Sequence, residues 1–387
     1  MQSFEFHPTT QVTFGAKALS SLGAITRSFA AEHVLLVTDP GIIEAGHVKI
    51  AVKSLEDENI RCSIFRDVEE NPTTLHVENG VRFAKNAGTI DLIIALGGGS
   101  SMDCAKGINF LLTNGGKMED YWGHDKASKP MLPSIGIPTT AGTGSEAQSY
   151  ALISHAETHR KMACGDKKAR FHHVILDPAL AESIPQDVRA VTAMDAVSHA
   201  LESYVCTRRN AVSQLYAREA WRLLEANFDS IFESPAPENW GNMLLGAHFS
   251  GMAIENSMLG AAHACANPLT AHFGVTHGKA IAVMLPAVIR YNALDPATAT
   301  LYHELMHTAG LPAEEKGGVS SLLKRVKELV AIAELPSSLR ELDVPEEMLA
   351  QLAGDAAEQW TGTFNPRPVK ATELLEIYKM TYSGIKI

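Results

Sequence analysis

The sequence lacks most of what would mark a secreted, membrane-spanning or nucleic-acid-binding chain. Its five cysteines, Cys62, Cys104, Cys164, Cys206 and Cys265, are odd in number and include no C-x-x-C pair. That usage excludes a disulfide framework and indicates free thiols in a reducing compartment. No apolar run reaches the ~20 residues that a membrane-spanning helix needs. The longest candidate, Ala280 to Ile289, carries Pro286. The N-terminal stretch M-Q-S-F-E-F-H-P-T-T has neither a basic segment nor an apolar one, so no signal peptide and a cytoplasmic location are expected. Positive charge is scarce: 33 Lys and Arg face 44 Asp and Glu, a net charge of -11. Nucleic acid and anionic membranes demand a basic face, so neither is an expected partner. What remains is an ordinary globular composition, 45% hydrophobic, over 387 residues, a length that implies two domains.

The first half reads as strands alternating with helices. Gln11 to Gly15 is strand-like, with a helix expected from Ala16. His33 to Thr38 (H-V-L-L-V-T) is a buried strand closed by Asp39-Pro40. Helix is expected over 42–57, strand over Arg61 to Phe65, and a loop at 67–74 whose Thr73 and Thr74 offer a helix N-cap. Asp91 to Leu96 (D-L-I-I-A-L) is a further buried strand. It runs into Gly97, Gly98, Gly99, Ser100 and Ser101, with a helix expected from about Met102. Alternation of this kind predicts a mostly parallel, Rossmann-like sheet, which binds ligands at the carboxyl ends of its strands.

The glycines let the backbone approach a ligand closely, and the helix after them offers free N–H groups to a phosphate. The spacing is not G-x-G-x-x-G. A second loop, P-T-T-A-G-T-G-S-E at 138–146, follows the strand-like Met131 to Ile137. Thr139, Thr140, Thr143 and Ser145 supply hydroxyls there. Two such loops favour an extended, phosphate-bearing cofactor. Asp39 either hydrogen-bonds an adenosine ribose, favouring NAD over NADP, or caps the next helix. Short strands and turns are expected over 149–177.

From about Pro185 helical periodicity dominates. Helices are expected over Thr192–Cys206, Ala211–Ile231, Asn239–Met258, Gly278–Asn292, Ala297–Ala309, Val319–Ile332, Glu346–Gln359 and Ala371–Met380. This predicts an α/β dinucleotide-binding domain over 1–184 and an all-α domain over 185–387, with a ligand in the cleft between them. In the helical half Asp195 and His199 are four apart and share a helix face. Met258 to His277 adds His263, His272 and His277 among small residues. One carboxylate and two or three imidazoles can hold a divalent transition metal with a position left open. The set suits Fe(II), Zn, Co or Ni better than Mg or Ca. Cys265, two residues from His263, is a weaker candidate ligand.

The combination of G-G-G-S-S-M-D-C-A-K at 97–106, P-T-T-A-G-T-G-S-E at 138–146, D-A-V-S-H-A-L-E at 195–202, M-L-G-A-A-H at 258–263, H-G at 277–278 and N-P-R at 365–367 resembles the iron-containing (group III) alcohol dehydrogenases. The resemblance runs in order along nearly the whole chain. It implies a Rossmann-like domain followed by a helical one, the dehydroquinate synthase-like architecture. It also implies NAD(P)(H), which Asp39 narrows to NAD, a divalent metal, Fe(II) or else Zn(II), and a homo-oligomer. By resemblance Asp195, His199, His263 and His277 are the metal ligands. Gly97, Gly98, Gly99, Ser100 and Asp103 resemble the pyrophosphate loop, and Thr139, Thr140, Thr143 and Ser145 the second cofactor loop. Asp39, Asn71 and Lys161 match further cofactor positions.

One departure is evident: Asn267 stands where such sequences carry a second histidine, and Thr270 replaces a glycine. Asparagine does not titrate, so His272 is named as a substitute in proton transfer beside His263 and His277. The expected reaction is reversible hydride transfer between NAD and a small, primary alcohol or its aldehyde, with the metal as Lewis acid. Three alternatives stay open: a polyol dehydrogenase or reductase of an anionic oxo-compound on the same fold, a dehydroquinate-synthase-like lyase that uses NAD transiently, and a non-redox phosphate-binding protein.

Overall fold

In the computed structural model residues 4–7, 10–312 and 319–385 are described. The N-terminal stretch read above for targeting lies partly outside them. The chain divides into two compact units, His7–Ile184 and Pro185–Ile387, the latter joined by the N-terminal residues to Phe6.

The first unit holds strands β1 (Gln11–Phe14), β2 (His33–Val37), β3 (Arg61–Phe65), β4 (Leu92–Gly97), β5 (Gly123–His124), β6 (Ser134–Pro138), β7 (Tyr150–Ser154), β8 (Lys161–Gly165) and β9 (His173–Leu176). Its helices are α1 (Leu22–Ser28), α2 (Pro40–Glu44), α3 (His47–Asp57), α4 (Thr74–Ala87), α5 (Gly99–Asn114) and α6 (Pro178–Ala181). Six strands form one parallel sheet in the order β1-β9-β6-β4-β2-β3. β2, β4, β6 and β9 are buried at every residue, as a parallel sheet covered on both faces requires. Leu36, Ile94, Ile135 and Ile175 from these strands share a core with Leu22 of α1 and Leu55 of α3. β5, β8 and β7 make a separate three-stranded sheet.

Several expected boundaries shift for identifiable reasons. The helix expected over 42–57 is two helices, because Gly46 takes a left-handed φ of 84° between α2 and α3. The helix expected from Met102 starts at Gly99, so the last glycine and both serines of the loop form its first turn. Thr73 sits at the N-cap of α4, where its backbone N–H donates to His76 Nδ1 at 3.0 Å.

The second unit is helical: α7 (Gln186–Val205), α8 (Ala211–Glu233), α9 (Pro237–Glu255), α10 (Ala261–Phe273), α11 (His277–Asn292), α12 (Pro296–Thr308), α13 (Ser320–Ile332), α14 (Leu349–Ala357) and α15 (Ala371–Tyr382). Helix α7 starts directly after Pro185, six residues before the expected Thr192. The sequence reading gave α10 no helix of its own. It contains Pro268, which lacks the N–H that would bond the Ala264 carbonyl, and an interior proline normally ends a helix. Here packing against α11, α14 and α15 holds the helix through it.

Candidate metal centre and nucleotide loops

Helix α7 places Asp195, His199 and Glu202 at i, i+4 and i+7, one face of a helix. All three are buried, at 6%, 5% and 4% exposure. Helix α10 brings His263 to this face, and the first residue of α11 is His277. Asp195 Oδ1 lies 3.3 Å from His199 Nε2, 3.6 Å from His263 Nε2 and 3.6 Å from His277 Nε2. His199 Nε2 and His263 Nε2 are 3.1 Å apart. The donor atoms of Asp195, His263 and His277 all lie within 4.8 Å of one another.

These separations test whether a metal fits. Donors ~2.0–2.2 Å from a tetrahedral ion stand ~3.3–3.6 Å from one another. The three spacings from Asp195 Oδ1 match that range, and the 3.1 Å between His199 Nε2 and His263 Nε2 is slightly shorter. Asp195 Oδ1 is fully buried and accepts no hydrogen bond of good geometry, an orphaned anionic oxygen facing three imidazole nitrogens. The residues present therefore fit a divalent metal ion.

Electrostatics agree. Burial opposes ionisation of Asp195, but His199, His263 and His277 outweigh it and hold its pKa well below the carboxylate range. Burial likewise opposes a charge on His263, yet Glu202 and Asp195 outweigh it and raise its pKa to about 9. In the metal-free protein at neutral pH this imidazole carries a proton that a metal must displace. Metal affinity is expected to rise with pH up to about 9 and level off above it, measured by competition with a chelator. A pH-independent affinity over that span would contradict the assignment of His263.

Glu202 was not singled out by the sequence reading, although it closes the D-A-V-S-H-A-L-E motif. Its Oε2 accepts from His263 Nδ1, and its Oε1 accepts from the Ala262 N–H at 2.8 Å. Its i+7 spacing from Asp195 was the available signal.

Two expectations at this centre are corrected. His272 does not face it. His272 lies nine residues beyond His263, about half a turn out of phase on the helix, with Nε2 2.6 Å from Asp355 Oδ2 and its side chain 33% exposed. We expect His272→Ala to leave kcat/KM within about twofold of wild type in steady-state assays; a tenfold loss would restore it to the mechanism. Cys265, two residues from His263, projects from another side of α10, is fully buried, and burial pushes its thiol pKa well up. It is no ligand. Asn267, one turn beyond His263, is half-buried and donates to Gln359 Oε1 at 3.0 Å.

In the α/β unit the glycine loop ends β4 and opens α5. The first backbone bond of α5 runs from Met102 N–H to the Gly98 carbonyl at 3.2 Å, which leaves the N–H groups of Gly99, Ser100 and Ser101 for a ligand. Glycine is required at 97 and 99. Gly97 has φ 152°, and a Cβ on Gly99 would stand 2.7 Å from Thr143 Cγ2. Gly99 thus packs the first loop directly on the second. Asn71 sits beside this turn in a left-handed conformation, φ 53°, its N–H donating to Ser100 Oγ at 3.3 Å.

Thr139 Oγ1, at the carboxyl end of β6, and Thr38 Oγ1, at that of β2, are buried without a partner on either side of β4. These orphaned hydroxyls and the open first turn of α5 fit a polar, phosphate-bearing cofactor. Thr140 and Thr143 are half-buried in the second loop.

Asp39 is both a strand-end acid and a cap: Oδ1 accepts from Ile42 N–H at 3.1 Å and Oδ2 from Ser101 Oγ at 3.3 Å. Asp103 and Ser145 have internal partners instead of a free face. Ser145 Oγ donates to Asp103 Oδ1 at 2.6 Å and accepts from Lys106 Nζ at 2.9 Å. Lys106, 2% exposed, also donates to the Ser145 and Tyr150 carbonyls at 2.7 Å. This cluster ties α5 to the second loop, so the hydroxyl of Ser145 is spent inside the fold. Lys161 begins β8 with an exposed side chain.

A nucleotide-type parallel sheet and a convergent Asp-His-His-His cluster, buried but for the half-buried His277, are together what a metal-dependent oxidoreductase requires. Two family models match: iron-containing alcohol dehydrogenase over residues 8–178, and its C-terminal domain over 189–382. Alcohol dehydrogenase 4 of Schizosaccharomyces pombe is 34% identical over 367 residues, 95% of this chain and 86% of that protein. The 1,3-propanediol dehydrogenase of Klebsiella pneumoniae is 32% identical over 379 residues, 95% of this chain and 96% of that protein. A crystal structure of 1,3-propanediol oxidoreductase superposes with a TM-score of 0.93 at 29% identity, over 98% of this chain and all of that one.

The chain belongs to the iron-containing alcohol dehydrogenase family. It is an alcohol/aldehyde oxidoreductase, and the lyase alternative falls away. Among the described residues no helix is long and apolar enough to cross a membrane.

Proposed function

We propose that this enzyme interconverts a small primary alcohol and its aldehyde with NAD, using one divalent metal ion held by Asp195, His199, His263 and His277. The convergence of one buried carboxylate oxygen and three imidazole nitrogens carries this reading. When bound, the metal supplies Lewis acidity toward the substrate oxygen. NAD, when bound, supplies the hydride acceptor at its nicotinamide.

The residues do the rest. Asp195 contributes the negative charge that concentrates a cation among neutral ligands. The Gly97–Ser100 turn and the first N–H groups of α5 take the pyrophosphate, with Asn71 buttressing Ser100. Thr139, Thr140 and Thr143 offer hydroxyls, Lys161 offers a cation to the cofactor, and the Asp103–Ser145–Lys106 cluster fixes the loop that carries the threonines. Asp39, fixed in place by two hydrogen bonds, leaves a negative charge that disfavours a 2′-phosphate and so favours NAD over NADP.

Fe(II) is the favoured ion, with Zn(II) the alternative that the same ligands accept. The domains act as a dinucleotide-binding unit, 1–184, and a metal-binding unit, 185–387. We further propose a cytoplasmic homo-oligomer. A polyol dehydrogenase is the second reading of substrate, supported by the relative named for 1,3-propanediol. Equilibrium binding of Fe(II) under anaerobic conditions should give one ion per chain, lost in Asp195→Asn. Full-affinity binding by that variant would sink the ligand set.

A further inference from the structure

We propose that Glu202 is the positioning residue of the metal centre, holding His263 in the one tautomer and orientation that can ligate. The inference deepens the metal-site reading and rests on it.

Glu202 is 4% exposed and uses its two oxygens on different partners. Oε2 accepts from His263 Nδ1, and Oε1 accepts from the Ala262 N–H at 2.8 Å in the first turn of α10. A carboxylate only accepts, so Nδ1 must carry a hydrogen, and once a metal displaces the Nε2 proton it is Nε2 that presents its lone pair. Nε2 is the atom that lies 3.6 Å from Asp195 Oδ1 and 3.1 Å from His199 Nε2. The chain around it is shaped to admit this carboxylate. A Cβ on Gly260 would stand 3.0 Å from Glu202 Oε1 and 2.9 Å from Asn365 Oδ1. Asn365 Oδ1 takes the neighbouring Ala261 N–H at 3.2 Å, so the two side chains share the open end of α10.

Glutamine at 202 has nearly the same shape and inverts the chemistry. With its oxygen kept on Ala262 N–H, its NH2 faces Nδ1. The imidazole hydrogen then moves to Nε2, which can no longer ligate. With the amide flipped, NH2 meets the Ala262 N–H and that bond is lost. Aspartate keeps an acceptor-only group but reaches one methylene less far. A role in packing alone therefore ranks Gln above Asp, and a role in fixing the tautomer ranks Asp above Gln.

The test is the Zn(II) dissociation constant of the metal-free protein, by competition with a chelating dye, with unfolding of each metal-free variant followed in parallel. Glu202→Gln should weaken Zn(II) binding about 10- to 100-fold, and Glu202→Asp less. Asn365→Ala, which removes the other cap of α10 without touching His263, should lower stability and leave the dissociation constant near wild type. Wild-type affinity in Glu202→Gln, a better binder in Gln than in Asp, or an equal loss in Asn365→Ala would each overturn the proposal. If the wild-type protein itself takes up no Zn(II) or Fe(II), the metal-site reading fails first, and that result is distinct from any ranking among variants.

Discussion

His263→Ala is expected to remove essentially all turnover while leaving the fold in place. The imidazole is tied on both sides, by Glu202 at Nδ1 and toward Asp195 and His199 at Nε2. Lewis-acid stabilisation is worth several kcal/mol, so a loss in kcat/KM of about 10³-fold or more is expected. Asp195 keeps His199 and His277 as neighbours, so its charge is not stranded. The check is steady-state kinetics with metal content and far-UV circular dichroism on the same sample. A variant that retains metal and turnover would remove His263 from the site.

Gly99→Ala should raise the KM for NAD about tenfold, with a smaller effect on stability. Tenfold corresponds to ~1.4 kcal/mol, within the range for overpacking a tight contact. The new Cβ would meet Thr143 at 2.7 Å and push the second loop off the first. Gly99 lies in the first turn of α5 and is not among the positive-φ residues, so an alanine there meets no backbone strain. NAD titration by protein fluorescence separates this binding defect from a slowed chemical step. An unchanged affinity would show that the two loops do not act together on the cofactor.

How legible all this was in the sequence varied with the range of the interactions involved. The central strands were plain, because H-V-L-L-V and L-I-I-A-L are short apolar runs buried on both faces. The Asp195/His199 pair was plain too, since i and i+4 on a helix is a local relation. Helix α10 was hidden by Pro268, and that one omission misplaced His272. Given the helix boundaries, nine residues from His263 put His272 on another face, against Asp355. The role of Glu202 was not legible, because its partner lies 61 residues away and only the packing of α7 and α10 joins them. The same holds for Ser145: its hydroxyl seemed available until Asp103 and Lys106, about 40 residues upstream on α5, closed on it. Residue types and spacing thus revealed which groups could act, and long-range packing decided which were free to.

The most direct test of the central claim is absorbance at 340 nm with metal-free protein, NAD and a panel of small primary alcohols and diols, before and after Fe(II) or Zn(II) is added. The account predicts NADH formation that depends on added metal. NADH formation at full rate in verified metal-free protein would contradict it.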